Sequence, residues 1–262
     1  MDHVLDFAVN LARQTGNLLQ KYYDPSGVNA SLKPDQTVVT EADLAADRYI
    51  TQEINRHFPG DQIISEESSQ SITDIQSPTW VIDPLDGTTN FSLGLAIWGI
   101  SIARLIDGYP EIAAIYFPLL NELYTAQRGS GAYINQKPIA TRPTHPAHPM
   151  SFFACCSRSF RYFDISIPYK PRILGSSAYS FCMVARGTAL LALDAVPKIW
   201  DLAAAWLIVE QAGGAIDTLD GPRPIPISPD VDYSHASFTL LAAANQDLFE
   251  NSRGKIHRRS QK

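Results

Sequence analysis

Nine consecutive residues, Asp83-Pro84-Leu85-Asp86-Gly87-Thr88-Thr89-Asn90-Phe91, carry two carboxylates, a proline, a glycine and two hydroxyls. Pro84 fixes the backbone between the acids, so that Asp83, Asp86 and the carbonyl of Leu85 can face one point. Gly87 allows a tight turn and a close approach of ligand to backbone. Thr88 and Thr89 are read as the start of a helix, whose free N–H groups favour an anion. Other acids stand in comparable places. Glu66 and Glu67 follow Ile63-Ile64, and Asp201 follows Trp200 at the head of a nearly all-apolar stretch. Carboxylates at the tips of buried elements are costly unless positive charge neutralises them. Oxygen ligands with few His or Cys nearby suit a hard divalent cation, Mg²⁺ above all. One nonapeptide thus supplies metal carboxylates, a carbonyl ligand, a cradle for phosphate and a hydroxyl.

Elements of two kinds must position these groups. Helical periodicity covers residues 2–23, ended by Asp24-Pro25-Ser26-Gly27, and resumes at Thr40. Thr40-Glu41-Ala42-Asp43 has the form of a capping box, and the helix it opens ends at Pro59-Gly60. The period then changes to two. Strands are expected at Ile63-Ile64, Trp80–Ile82, Ile97–Ile106, Ile112–Phe117 and Leu123–Ala126, with Asp107-Gly108 as a hairpin turn, giving an antiparallel meander. Residues 141–149 hold three prolines and read as a linker. The second half reads as strands at Phe152–Cys156, Ala189–Asp194, Ala215–Thr218 and Phe238–Ala242, with helices near Ser177–Ala185 and from Asp201 to Ala212. Helices, then a meander, then mixed elements argue for an α+β layered sandwich and against a doubly wound parallel sheet. One domain over 1–252 is expected, with halves of about 1–140 and 150–247.

Composition narrows the partners. The 262 residues include 21 basic and 27 acidic side chains. Five of the basic ones (Arg253, Lys255, Arg258, Arg259 and Lys262) fall in residues 253–262, a tail expected to be disordered. The body then carries 16 basic against 27 acidic residues, net −11. That charge disfavours nucleic acid and anionic membranes as partners. Its three cysteines lack zinc spacing and read as free thiols in a reducing compartment. With no signal-like start, a cytoplasmic location is expected.

The motifs resemble those of the inositol monophosphatase family of Mg²⁺-dependent, Li⁺-sensitive phosphatases. The family's Asp-Pro-(Ile/Leu)-Asp-Gly-Thr reads as Asp83 to Thr88, and its Trp-Asp-x-x-Ala as Trp200 to Ala204. Its Glu-Glu-Ser reads as Glu66-Glu67-Ser68, and its Lys…Val-Thr-x-x-Asp as Lys33 and Val39 to Asp43. All four stand in family order, over about residues 5–247. The resemblance implies a five-layer αβαβα sandwich of the inositol monophosphatase and fructose-1,6-bisphosphatase type, usually a homodimer. It implies one metal on Glu66, Asp83 and the Leu85 carbonyl, a second on Asp83, Asp86 and Asp201, and a third, weaker one near Glu66. By the same resemblance Thr88, bonded to Asp43, orients and deprotonates the attacking water, while Gly87 and Thr88 N–H groups hold the phosphate. Asp43 also has a plainer reading as the acid of its capping box.

On the substrate side, the family's ring-contacting segment reads as Gly175-Ser176-Ser177-Ala178, and its ring-contacting glutamate is replaced by Asp194. Asp194 is one methylene shorter, a loss of about 1.5 Å in reach. Inositol monophosphate is the expected substrate. Fructose 1,6-bisphosphate, or a wider set of sugar and nucleotide phosphates, remains an alternative within the family. A non-catalytic metal- and phosphate-binding protein is the alternative outside it.

Overall fold

The computed structural model describes residues 3–33, 37–68, 72–142 and 152–259. Helix α1 (His3–Leu19) turns Leu5, Ala8, Leu11, Ala12, Thr15 and Leu19 inward, the stripe its periodicity predicts. A hairpin of β1 (Ser31–Leu32) and β2 (Val38–Val39) leads into α2 (Glu41–His57). Both helices pack on one face of a seven-stranded sheet through Ala46, Ile50, Ile54, Trp80 and Ile100.

That sheet runs in chain order: β3 (Gln62–Ser65), β4 (Thr79–Asp86), β5 (Gly99–Ile106), β6 (Tyr109–Phe117), β7 (Glu122–Gln127), β8 (Gly131–Ile134) and β9 (Lys137–Ile139). From β4 onward every neighbour is antiparallel, as expected of a meander. The first pair differs: β3 runs parallel to β4. Alternation of side chains records which face is buried but not which way the partner runs. A short helix, α3 (Thr88–Ser92), joins β4 to β5.

Of the expected linker, residues 143–149 lie outside the described residues. The second half contains β10 (Phe152–Cys155), α4 (Ser159–Tyr162), β11 (Phe163–Ile165), β12 (Lys170–Arg172), α5 (Ser177–Ala185), β13 (Ala189–Asp194) and α6 (Ile199–Gln211). It continues with β14 (Ala215–Asp220), β15 (Thr239–Ala243), α7 (Gln246–Arg253) and β16 (Ile256–Arg258). Five of these strands form a mixed sheet in the order β12-β10-β13-β15-β14.

Helices α5 and α6 lie between the two sheets and are apolar nearly all round, as a helix buried on every side must be. With α1 and α2 outside the first sheet and α7 outside the second, the layers read αβαβα, an α+β sandwich. Gly213 stops α6 in the left-handed region (φ 84°), and Gly214 N–H returns to Val209 O at 2.9 Å.

Several boundaries differ by a few residues from the sequence reading, and two of the differences concern charged residues. Helix α6 begins at Ile199, so Asp201 is the third residue of its first turn rather than the residue that opens it. The basic tail is ordered as far as residue 259: β16 pairs with β11, Ile256 is buried, and Arg258 and Arg259 reach Asp220 and Asp164 at 2.7 and 2.8 Å. A strand of three residues is too short to show a period, and its partner lies about ninety positions earlier.

Candidate active site

The pairing of β4 explains how its acids come to protrude. Its parallel neighbour β3 ends at the Ser65–Ile82 pair, and the register with β5 shifts between Asp83 and Asp86. Pro84, which has no N–H to give a ladder, lies inside that irregular stretch. Asp83 Oδ1 accepts the Leu85 N–H at 2.9 Å, which folds the segment back on itself.

Asp201 arrives from the other side. The first turn of α6 is tied to the sheet by Ser101 Oγ donating to Trp200 O, and Asp201 Oδ2 accepts the Lys198 N–H at 2.7 Å. Oxygen atoms of Asp83, Asp86 and Asp201 lie within 4.8 Å of one another. Burial pushes all three carboxyls above the ordinary range, Asp86 to about 6. Mutual repulsion adds to this: Glu66 and Asp86 both act on Asp83 and on Asp201. Such a cluster calls for cationic charge at its centre.

Glu66 borders the same cavity. Its carboxylate and that of Glu67 accept bonds from Lys33 Nζ at 2.7 and 2.6 Å. Burial would lower Lys33, but the two glutamates outweigh it and hold the ammonium above its usual range. Burial raises Glu67 to about 7 against the bond from Lys33.

Asp43 is 1% exposed in the first turn of α2. Its Oδ2 accepts the Thr40 N–H and hydroxyl at 2.7 and 2.6 Å, and its Oδ1 faces Thr88 Oγ1 at 2.9 Å. The capping role and the contact with Thr88 therefore coexist. The Thr88 hydroxyl also lies 3.0 Å from Leu85 O, so its single proton has two acceptors. Gly87 sits at φ 89°, and a Cβ there would stand 3.0 Å from Ile97 O.

The segment 175–177 holds Asp86. Ser176 Oγ donates to Asp86 Oδ2, and Ser177 N–H donates to Oδ1 at 3.0 Å. Gly175, at φ 76°, has no room for a Cβ against the Asn90 carboxamide, whose Nδ2 donates to Ile97 O and Leu174 O at 2.7 and 2.8 Å. Asp194 is half-buried; it accepts Ser177 Oγ at 2.8 Å and Val196 N–H at 3.2 Å.

Two adjoining cavities result. The first, about 570 Å³, is bordered by Glu66, Asp83, Asp86, Gly87, Thr88 and Asp201. The second, about 430 Å³, is bordered by Gly175, Ser176, Ser177 and Asp194. Every residue expected at the site borders one of the two except Asp43, which lies behind Thr88.

Sequence reasoning missed several contributors. Asp47, one turn after Asp43, accepts the Ser65 and Ser68 hydroxyls and so anchors both ends of the Glu66-Glu67 turn. Its spacing from Asp43 was a usable signal. Asn90 stands in the nonapeptide, but its bonds to Ile97 O and Leu174 O were not foreseen, and no spacing marked the cavity-lining Arg158 and Lys198.

The comparisons with known proteins agree with this geometry. The family model described as "Inositol monophosphatase family" matches residues 1–254. The chain is 36% identical over 232 residues to the Nus factor SuhB of Escherichia coli (strain K12), covering 84% of this chain and 87% of that one. It is 33% identical over 232 residues to a histidinol-phosphatase of Mycobacterium tuberculosis, covering 83% and 88%. Among solved structures, an inositol monophosphatase from Thermotoga maritima superposes with a TM-score of 0.78 at 28% identity, covering 97% of this chain and 95% of that one. With the layered fold, the converging acids and a match through nearly the whole length, the chain belongs to the inositol monophosphatase family.

Proposed function

We propose that the protein is a Mg²⁺-dependent phosphomonoesterase that hydrolyses inositol monophosphate to inositol and phosphate. The observation that carries this reading is the convergence of the buried Asp83 and Asp86 with the half-buried Asp201, short of compensating charge, beside an open cavity. A donor set made only of carboxylate and carbonyl oxygens fits Mg²⁺.

Glu66, Asp83 and the Leu85 carbonyl would hold one cation, and Asp83, Asp86 and Asp201 a second; a third would sit near Glu66. When bound, such cations lower the pKa of water and offset the charge that develops on a phosphoryl group. The chain's own residues do the rest. Thr88 donates its proton to Asp43, which leaves an oxygen lone pair to accept from the attacking water. Burial raises Asp43 above the ordinary carboxylate range, which makes it a better proton acceptor. N–H groups of Gly87 and Thr88 hold the phosphate oxygens. Gly175, Ser176, Ser177 and Asp194 border the space left for the alcohol.

The wider reading, a sugar phosphatase of broad range, is favoured by Asp194, whose short side chain is tied back to Ser177. The relatives include histidinol-phosphatases, so histidinol phosphate belongs in the comparison. Phosphate release from inositol 1-phosphate, fructose 1,6-bisphosphate and histidinol phosphate, compared by kcat/KM with and without Mg²⁺, is the test. The proposal expects Mg²⁺-dependent release with inositol 1-phosphate leading. Binding of Mg²⁺ and phosphate without turnover of any ester would support the non-catalytic alternative instead. Light scattering checks the expected homodimer.

A further inference from the structure

The resemblance gives Asp194 a direct contact with the ring of the substrate, but the structure turns its carboxylate to other partners. Oδ2 accepts the Ser177 hydroxyl at 2.8 Å, and Oδ1 accepts the Val196 N–H at 3.2 Å. The Cys156 thiol and the Arg158 guanidinium act on the same group. Burial pushes the carboxyl up, and all four partners work against it by favouring the ionised form. Both oxygens of Asp194 thus serve the protein.

Ser177 stands between that carboxylate and the metal-binding acids. It is the first residue of α5, half-buried, and borders the second cavity. Its backbone N–H donates to Asp86 Oδ1 at 3.0 Å, which sets the residue against the carboxylate cluster and so beside the reacting ester. Its side chain does something different. The Ser177 hydroxyl has one proton, and Asp194 takes it. Only lone pairs remain, so toward the cavity this oxygen can accept a hydrogen bond but not donate one. A hydroxyl already polarised by a carboxylate is the better acceptor for it.

Resting on the phosphomonoesterase reading, we infer that the Ser177 hydroxyl is the specificity-determining acceptor for a hydroxyl beside the ester of a polyol phosphate, and that Asp194 is a positioning residue that acts through Ser177 without touching the substrate. Asp194 draws the Ser177 proton away from the cavity and leaves the oxygen's lone pairs to the alcohol. An alcohol without a donor next to the ester covers that oxygen and leaves it unpaired, which penalises such an ester.

Inositol 1-phosphate and cyclohexyl phosphate make the comparison, since the second keeps the six-membered ring and lacks every ring hydroxyl. In saturating Mg²⁺, kcat and KM for inositol 1-phosphate, and Ki for cyclohexyl phosphate as its competitor, are measured for the wild type, Ser177→Ala, Asp194→Asn and the double variant. Ser177→Ala keeps the backbone N–H that holds Asp86. It should raise KM for inositol 1-phosphate about three- to tenfold, the worth of one hydrogen bond, and leave Ki for cyclohexyl phosphate within about twofold of the wild type. Asp194→Asn should raise KM in the same direction. The double variant should be no worse than Ser177→Ala, because both changes act on one contact. An unchanged KM in Ser177→Ala overturns the inference. Equal losses for the two compounds also overturn it, because they place the effect on the phosphate. A further rise in KM when Asp194→Asn is added to Ser177→Ala overturns it too, because it puts the carboxylate on the substrate. Failure of the phosphomonoesterase reading is distinct: it appears in the wild type, as no Mg²⁺-dependent release from any ester.

Discussion

The Thr88 hydroxyl stands 2.9 Å from the Asp43 carboxylate, across 45 positions of chain. It links the first turn of α2 to the turn that follows β4, and it puts a proton acceptor behind the hydroxyl that faces the cavity. Thr88→Val removes the hydroxyl while keeping the shape. It should lower kcat by about 10²- to 10⁴-fold, the usual range for a lost proton-transfer partner, with the Mg²⁺ dependence changed little. Thr88→Ser should retain most of the rate. The double variant with Asp43→Asn should lose much less than the product of the single losses, because both act on one proton path.

Asp201→Asn keeps the volume and removes a charge from the cluster. The Mg²⁺ concentration for half-maximal activity should rise about 10- to 100-fold. A titration of phosphate release against Mg²⁺ measures it, and an unchanged midpoint would take Asp201 out of the ligand set.

The pH dependence follows from the raised carboxyls. A group whose folded pKa lies above its unfolded value favours the folded state at low pH and loses that contribution as pH rises through the folded pKa. For Asp86 the window runs from near 4 to about 6. Metal-free protein should therefore lose stability from this cluster across that window, and Mg²⁺ should restore it by binding the ionised form. The rise in Tm caused by Mg²⁺ should be larger at pH 7.5 than at pH 5. Differential scanning fluorimetry at the two pH values tests the sign.

Asp47 holds the Ser65 and Ser68 hydroxyls on either side of Glu66 and Glu67. Asp47→Ala leaves the buried Ser65 hydroxyl without this partner, at a cost of about 1–3 kcal/mol in stability. It should also weaken Mg²⁺ binding through the loosened Glu66. Urea unfolding read beside a Mg²⁺ titration separates the two effects.

The C-terminal strand gives a further check. Deleting residues 254–262 removes the burial of Ile256 and the Arg258–Asp220 pair. Burial of one such side chain contributes about 1.5–3 kcal/mol, so Tm should fall by several degrees. An unchanged Tm is what a disordered tail would give.

The legible part of this protein was the part whose chemistry is local. Asp83, Leu85 and Asp86 are bound to the geometry of one turn, and Gly87 and Gly213 announce positive φ by their identity. The amphipathic stripe of α1 and the all-apolar surface of α6 state their layers directly. What the chain order hides is pairing at a distance. The parallel run of β3 on β4 and the match of β16 to β11 carry no mark in a run of three or four residues. The side-chain bookends of the site are hidden for the same reason: Ser176 reaches Asp86 across 90 positions, and nothing near Ser176 names its partner.

The central claim is that Asp83, Asp86 and Asp201, with Glu66 beside them, hold divalent cations next to an incoming ester. Crystals soaked in Mn²⁺ as a stand-in for Mg²⁺, with anomalous difference density measured at the manganese edge, test it most directly. The account predicts peaks at about 2 Å from carboxylate oxygens of all three aspartates, with Glu66 on one of them. A saturating soak that leaves this cluster without an anomalous peak would contradict it.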